Sequence, residues 1–138
     1  MLGQFASYDA AVAEMPGGAS NGFYSMSAVV FSTGEDAPPA AQDFARKYKA
    51  LFGKEPNMAA QLGYTGAGLV IQALKNAGPN LTVDSFVAGM ESIKDHHDIF
   101  GSPPMTFGAS KHQGSNQAFL SVVRDGHWEQ VDKTPLGY

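Results

Sequence analysis

Histidine and carboxylate side chains are concentrated at residues 95–98, where the sequence runs Asp-His-His-Asp. Two imidazoles and two carboxylates, together with His112, are ligands that zinc accepts, so a small metal-dependent hydrolase is one hypothesis. Adjacent residues of one loop, however, cannot all converge on a single ion without ligands from elsewhere. A solvent-exposed loop is therefore the favoured interpretation, and the isolated His112 and His127 are expected at the surface.

A glycine-rich stretch, GYTGAGLVI at residues 63–71, is the second candidate for chemistry. A dinucleotide-binding loop needs Gly-x-Gly-x-x-Gly after a strand, whereas here the third glycine position is Ile71 and the context is helical. We expect instead that the glycines at 63, 66 and 68 let a helix approach a sheet or another helix closely, although each costs about 1 kcal/mol in helix propensity. No Ser-His-Asp order or carboxylate pair has a supporting motif. The sequence therefore predicts no catalytic residue, no metal site, no cofactor and no enzymatic activity.

Composition limits the class of partner. The 138 residues are 43% hydrophobic and 16% charged, enough for one globular domain that buries roughly 65–70% of its unfolded surface. The net charge of −4 and the lack of a dense basic cluster exclude nucleic acid as an expected partner. No stretch approaches the ~18–20 apolar residues of a membrane helix, and the N-terminus lacks the charge order of a secretory signal. The absence of cysteine fits either redox compartment.

Three helices are predicted in the middle of the chain. An apolar stripe of Phe44, Tyr48, Leu51 and Phe52 indicates an amphipathic helix that ends at Gly53. The next run, residues 59–78, is almost uncharged, so a helix there would be apolar nearly all round and would have to be covered on most faces. A third helix is expected over residues 82–93, with Thr82 as its N-cap.

Strands are predicted at the two ends. Residues 22–31, GFYSMSAVVF, are typical of a buried strand, and YDAAVAEM before them indicates a short helix. Residues 117–131 predict a hairpin about Asp125-Gly126, since this pair favours a type I′ turn. The helices have no strand between them, unlike a complete doubly wound sheet. The chain is therefore expected to be an α/β unit whose remaining strands come from sequence absent here or from a partner chain.

The order of these motifs resembles a known family. GGASNGFYSMSAVVF, then DFARKYKALFGKEPNMAAQLGYTGAGLVIQALKNAG, then GSPPMTFGAS and FLSVVRDGHWEQV, is similar to the C-terminal part of type I periplasmic solute-binding proteins of the branched-chain amino-acid transporter class. The resemblance implies two α/β lobes joined by chain crossovers near residues 27–31 and 118–121. Residues 1–28 and 117–138 would belong to the second lobe and residues 32–115 to the first.

The resemblance also implies a ligand site between the lobes. Its expected residues lie on the loop after the first strand and at the start of the second helix: Gln4, Phe5, Ala6, Ser7, Met58 and Ala59. Phe5 stands where branched-chain amino-acid binders often carry an acid for the ligand ammonium group. An ammonium desolvated without that partner would cost several kcal/mol, so an aromatic or aliphatic carboxylate is expected in preference to an amino acid. Tyr64 is interpreted as a core residue, with ligand contact as the alternative.

The function implied is that of a periplasmic substrate-binding component of an ABC transporter, with a small-molecule ligand and a membrane permease as its partners. A cytoplasmic ligand-sensing regulator built on the same lobes is the alternative. A chain of 138 residues would supply at most half of such a cleft and would expose helix and sheet faces. Self-association is therefore also expected.

Overall fold

The computed structural model describes residues 1–32 and 34–137. Thr33 and Tyr138, which belong to the predicted first-lobe segment 32–115 and second-lobe segment 117–138, lie outside the described residues. The helices and strands are, in chain order, β1 (Leu2–Gly3), α1 (Ala10–Ala13), β2 (Tyr24–Ser27), α2 (Pro39–Phe52), α3 (Met58–Ala77), α4 (Val83–Glu91), β3 (Gln117–Arg124), β4 (His127–Gln130) and β5 (Leu136–Gly137). Short 3₁₀ turns occupy Phe5–Ser7 and Pro16–Gly18.

The strands form one five-stranded sheet built from the two ends of the chain. Its order is β1-β2-β3-β4, with β5 pairing to the start of β3. The β1–β2 pair is parallel and the other pairs are antiparallel, with Ser25 opposite Ser121 and Val123 opposite Trp128. Helices α2, α3 and α4 all lie in the long segment between β2 and β3. The mixed α/β architecture predicted from the sequence is therefore confirmed.

The C-terminal hairpin forms as predicted. Asp125 and Gly126 join β3 to β4, and their φ angles are 49° and 82°. Positive φ at both central residues is what a type I′ turn requires, because its twist matches that of the flanking strands.

The predicted strand at residues 22–31 is wrong in length. Only Tyr24–Ser27 pairs with neighbouring strands. Beyond Ser27, backbone N–H groups donate to side chains and not to a neighbouring strand. Val29 N–H donates to Ser27 Oγ and Val30 N–H donates to Ser102 Oγ, both at 3.1 Å. The Ser102 side chain thus binds the backbone that a longer β2 would have offered to a neighbouring strand.

All three predicted helices are present, and local signals set their ends. The N–H of Gly53, at φ 69°, donates to the carbonyl of Lys49 and closes α2. The Asn57 side chain accepts from the Ala60 N–H at the start of α3. Thr82 and Ser85 form a reciprocal capping box at the start of α4. The apolar stripe of α2 is only partly buried, since Leu51 and Phe52 at its C-terminal end are exposed.

The close helix contact falls on a different glycine from those predicted. A Cβ on Gly63, Gly66 or Gly68 would meet nothing within 4 Å, so these glycines approach no described element closely. Gly89 on α4 instead lies against the backbone of α3, where an added Cβ would overlap the carbonyl oxygen of Ala73. The α3–α4 pair is therefore held close by one glycine, and close packing of Gly63, Gly66 and Gly68 on a sheet outside the described residues stays a prediction.

The long helix α3 remains uncovered on one side. Exposed apolar side chains lie along its second half, and Tyr64 in its first half is 50% exposed although its ring centroid lies 4.8 Å from that of Phe44. The interpretation of Tyr64 as a core residue is therefore wrong. The buried apolar cluster beside these helices is small and consists of Ala37, Ala41 and Phe100. No helix among the described residues combines the length and apolar character needed to cross a bilayer.

Candidate functional site

The loop from Gln4 to Ser7 follows β1 directly and folds into a 3₁₀ turn over Phe5–Ser7. The carbonyl of Gln4 accepts from the Ser7 N–H at 2.9 Å, from Ser7 Oγ at 2.6 Å and from Ser25 Oγ at 3.1 Å. Ser25 lies on β2 and is fully buried, so the loop is fastened to the sheet beneath it. These hydrogen bonds tie the start of the loop to Ser7 at its end and to Ser25 on β2.

Gly3 makes this tight turn possible. A side chain at this position would overlap both the Ser7 hydroxyl and the Phe23 ring. A larger residue here would force the Ser7 and Phe23 side chains to shift if the loop kept its fold over the end of β1. The four predicted ligand residues of this loop are thus held together as one unit.

The side chains that this loop presents outward are apolar and amide groups. The Phe5 ring is 42% exposed, and Gln4 and Ala6 are exposed beside it. The Gln4 side-chain amide has no hydrogen-bond partner among the described residues. An exposed ring next to free amide donors can bind a flat apolar acid, since the ring supplies stacking area and the amide supplies N–H groups.

The second predicted group, at the start of α3, lies on a separate element. Met58 is buried at 6% exposure, whereas Ala59 is exposed. Within the described part of the chain, no hydrogen bond or ring contact joins these two residues to the Gln4–Ser7 loop. The four loop residues are neighbours along the chain, and the structure shows no direct contact, among the residues it describes, that joins Met58 and Ala59 to them.

The segment that connects the sheet to the helices is hydrogen-bonded to both of them at residues 31 and 32. The Phe31 N–H points at the Tyr8 hydroxyl at 3.4 Å, and Tyr8 directly follows the Gln4–Ser7 loop. From the helical side, the buried Gln61 amide donates to the carbonyl of Ser32 at 3.0 Å. The loop and α3 are thus linked through the backbone of residues 31 and 32.

A cleft that sequence reasoning missed lies beside this connection. It has a volume of about 510 Å³ and is walled by α1, the residues around Phe31 and the start of β4. Tyr8 and Trp128 form its aromatic side, with ring centroids 4.9 Å apart, and the indole N–H donates to the carbonyl of Asp9 at 2.9 Å. Its walls come from residues 8–14, 30–32, 34–37 and 126–130, which meet only in the folded chain, so the only local signal was the single tryptophan beside the Asp-Gly turn.

The charges around this cleft disfavour an acidic ligand. Glu14, Glu35 and Asp36 line it, and the described residues of its lining include no lysine or arginine. A carboxylate entering there would meet like charges and no cation. Phe5 is not part of its lining. The Gln4–Ser7 loop is therefore the better candidate for binding a carboxylate.

The Asp-His-His-Asp segment does not assemble with His112. His112 lies 3.2 Å from Glu91, and His97 pairs separately with Asp95 at 3.4 Å. Asp98 is not solvated as predicted, because its Oδ1 accepts the backbone N–H groups of Phe100 and Ser102. Across residues 1–32 and 34–137, no three histidine, aspartate or glutamate side chains are grouped so as to hold a metal ion.

One protein family matches most of the chain. The profile of a family described as periplasmic binding protein matches residues 1–127. A comparison with curated protein sequences gave no match.

Three solved structures share this fold. A branched-chain amino acid ABC transporter protein from Thermus thermophilus, with bound valine, is 16% identical with a TM-score of 0.80 and covers 99% of this chain. A fatty acid ABC transporter substrate-binding protein from Thermomonospora curvata is 22% identical (TM-score 0.77, 99% covered). An ABC transporter solute-binding protein from Rhodopseudomonas palustris BisB5, in complex with 3,4-dihydroxybenzoic acid, is 23% identical (TM-score 0.70, 99% covered). The chain spans 39%, 36% and 36% of these proteins, respectively.

Proposed function

The chain belongs to the periplasmic binding protein family, and from this premise we propose that it is part of the substrate-binding component of an ABC transporter, located in the periplasm. The family consists of solute-binding proteins, which are not enzymes. The observation that carries the proposal is the profile match over residues 1–127. Ligand touching both lobes would favour their closed state, and that state would dock on a membrane permease.

We assign residues 1–28 and 117–138 to the second lobe and residues 32–115 to the first. The sheet supports this division, because β1 to β4 come only from the two outer segments. The contacts of Phe31 with Tyr8 and of Ser32 with Gln61 then lie at the crossover between the lobes.

We propose a carboxylate without an amino group as the ligand, bound against Gln4, Phe5, Ala6 and Ser7, with Met58 and Ala59 on the opposite rim. The Phe5 ring would add about 0.5–1.5 kcal/mol of aromatic contact to an aromatic acid. The Gln4 amide can donate to the acid group. An α-ammonium group would find no carboxylate on this loop, and its desolvation would cost several kcal/mol.

A titration followed by ¹⁵N NMR on the 138-residue chain tests this proposal. Benzoate and octanoate are expected to shift the amide signals of residues 4–7 and 59, whereas leucine leaves them unchanged. The dissociation constants should be about millimolar, equivalent to about 4 kcal/mol, because the chain supplies only part of a cleft. Shifts with leucine but not with benzoate would contradict the ligand assignment.

The variant Phe5→Glu tests the same ligand preference by placing a carboxylate on the loop. Benzoate affinity is expected to fall at least tenfold through like-charge repulsion, and leucine binding should appear, because its ammonium group gains a partner. Leu2→Glu adds the same charge to an exposed residue outside the loop and serves as the control. Equal losses in the two variants would show that net charge, and not Phe5, decides the preference.

A further inference from the structure

Two serines lie beneath the Gln4–Ser7 loop, on two neighbouring strands. Ser25 on β2 and Ser121 on β3 are directly opposite each other in the antiparallel register, and they are 0% and 1% exposed. Side chains opposite each other in such a pair project to the same face of the sheet, with their Cβ atoms about 4.5–5.5 Å apart. Ser25 faces the loop, because its hydroxyl donates to the Gln4 carbonyl, so Ser121 lies on the loop side of the sheet as well.

The hydrogen-bonding capacities of the two hydroxyl groups are complementary. A serine hydroxyl donates one hydrogen bond and can accept two. Ser25 Oγ donates to the Gln4 carbonyl at 3.1 Å and accepts from no group in the described part of the chain. Ser121 Oγ is buried and has no hydrogen-bond partner among residues 1–32 and 34–137. A donor without an acceptor thus lies next to an acceptor without a donor.

A hydrogen bond between the two serines would satisfy both groups. An unpaired buried hydroxyl is unfavourable, and buried side-chain polar groups in folded proteins almost always have partners. A change of one side-chain torsion, between staggered minima, turns the Ser121 hydroxyl toward Ser25. Hydroxyl side chains at directly opposite positions of antiparallel strands form such bonds. Solvent and other polypeptides have no access to the pair, because the residues of this chain bury both side chains.

We propose that Ser121 is a positioning residue for the Gln4–Ser7 loop: its hydroxyl donates to Ser25 Oγ, which in turn donates to the Gln4 carbonyl. Successive hydrogen bonds polarise one another, so a Ser25 hydroxyl that accepts from Ser121 is the stronger donor to Gln4. The loop is then held from β3 as well as from β2. This inference deepens the proposed function, and only its binding measurement rests on that function.

Hydrogen exchange of the Ser7 amide, followed by NMR on the 138-residue chain without ligand, tests the positioning role. This N–H donates to the Gln4 carbonyl at 2.9 Å, so its protection reports how often the loop opens. Ser121→Thr keeps the hydroxyl, whereas Ser121→Val has the same branched shape without it. Exchange should be at least about threefold faster in the valine variant than in the threonine variant, the effect expected for one neutral hydrogen bond.

Ser20→Ala is the control for a general loss of stability. The Ser20 hydroxyl is also buried, and it donates to the Ala13 carbonyl at 3.0 Å, outside the Gln4–Ser7 loop. This variant should lower the free energy of unfolding and leave the exchange rate of the Ser7 amide unchanged.

A double-mutant cycle tests the order of the two hydrogen bonds. Ser25→Ala should speed Ser7 exchange at least as much as Ser121→Ala does, and Ser121→Ala should add nothing once Ser25 is alanine. Effects of the two changes that multiply would overturn the proposal, and so would equal exchange rates in Ser121→Thr and Ser121→Val. The alanine variants decide the matter if the valine variant fails to fold.

A benzoate titration is the measurement that rests on the proposed function. The dissociation constant should be at least about threefold higher in Ser121→Val than in Ser121→Thr, because a looser loop must be ordered on binding. Faster Ser7 exchange in the valine variant supports the positioning role even where the parent chain does not bind benzoate, a result that would overturn the ligand assignment alone. Unchanged Ser7 exchange overturns the positioning role whatever the benzoate affinity.

Discussion

Gly89 sets the distance between α3 and α4. It is the point where α4 touches the backbone of α3, with the Ala77 nitrogen 3.2 Å and the Ala73 carbonyl oxygen still closer to where a Cβ would stand. Backbone atoms cannot move aside as a flexible side chain could. The separation of the two helices is therefore set at this position.

Gly89→Ala is expected to destabilise the protein by about 1–3 kcal/mol through overpacking. Gly68→Ala is the matched control, because this helical glycine has open space around it and alanine should stabilise the helix by about 1 kcal/mol. Urea unfolding followed by circular dichroism measures both changes. Similar shifts of the same sign in the two variants would contradict the packing described for Gly89.

Single residues were predictable from the sequence where the signal was local. The positive φ of Gly53 and the capping role of Thr82 depend only on neighbours within one helical turn. The function of the α3 glycines depends on which elements approach, and a sequence pattern does not contain that information. The prediction of a solvent-exposed Asp98 is wrong for a similar reason, since its partners are backbone groups that only the folded loop presents.

At the level of elements, the Gln4–Ser7 loop owes its position to the hairpin as well as to β1. Trp128 on β4 packs on Tyr8 and Phe23, and its indole N–H binds the carbonyl of Asp9. Asp9 is also the N-cap of α1, which follows the loop. The single tryptophan therefore joins the two ends of the chain at the candidate site.

Trp128→Phe should cost about 1–2 kcal/mol, because the ring contacts are largely kept while the Asp9 carbonyl loses its donor. The free energy of unfolding from urea titration, at one fixed protein concentration, gives the measurement. Val131→Ala, an exposed change just after β4, is expected to stay within about 0.5 kcal/mol of the parent. A Trp128→Phe loss no larger than that of the control would show that the Asp9 contact is not needed.

The helices and the hairpin form where the local sequence predicts them, but β2 is shorter than its sequence pattern predicts. Apolar spacing predicts the three helices and the Asp-Gly pair predicts the turn, because capping and turn chemistry act over a few residues. The strand that starts at Tyr24 ends early because Ser102, 72 residues beyond Val30, binds the backbone that would have continued it. The aromatic cleft beside Tyr8 was missed for the same reason, since its walls meet only after folding.

The order of the strands has a consequence for how the protein is made. β2 pairs with β3 across about 90 residues that contain α2, α3 and α4. At a translation rate of about 5–20 residues per second, β1 and β2 leave the ribosome several seconds before β3 exists. Two short strands are marginal in water on their own, so the helices have time to form while the edge of β2 stays unpaired. The nascent chain is therefore most prone to aggregate through this unpaired edge during those seconds. A premature stop codon just before β3 would release a chain that has the three helices but lacks β3, β4 and β5.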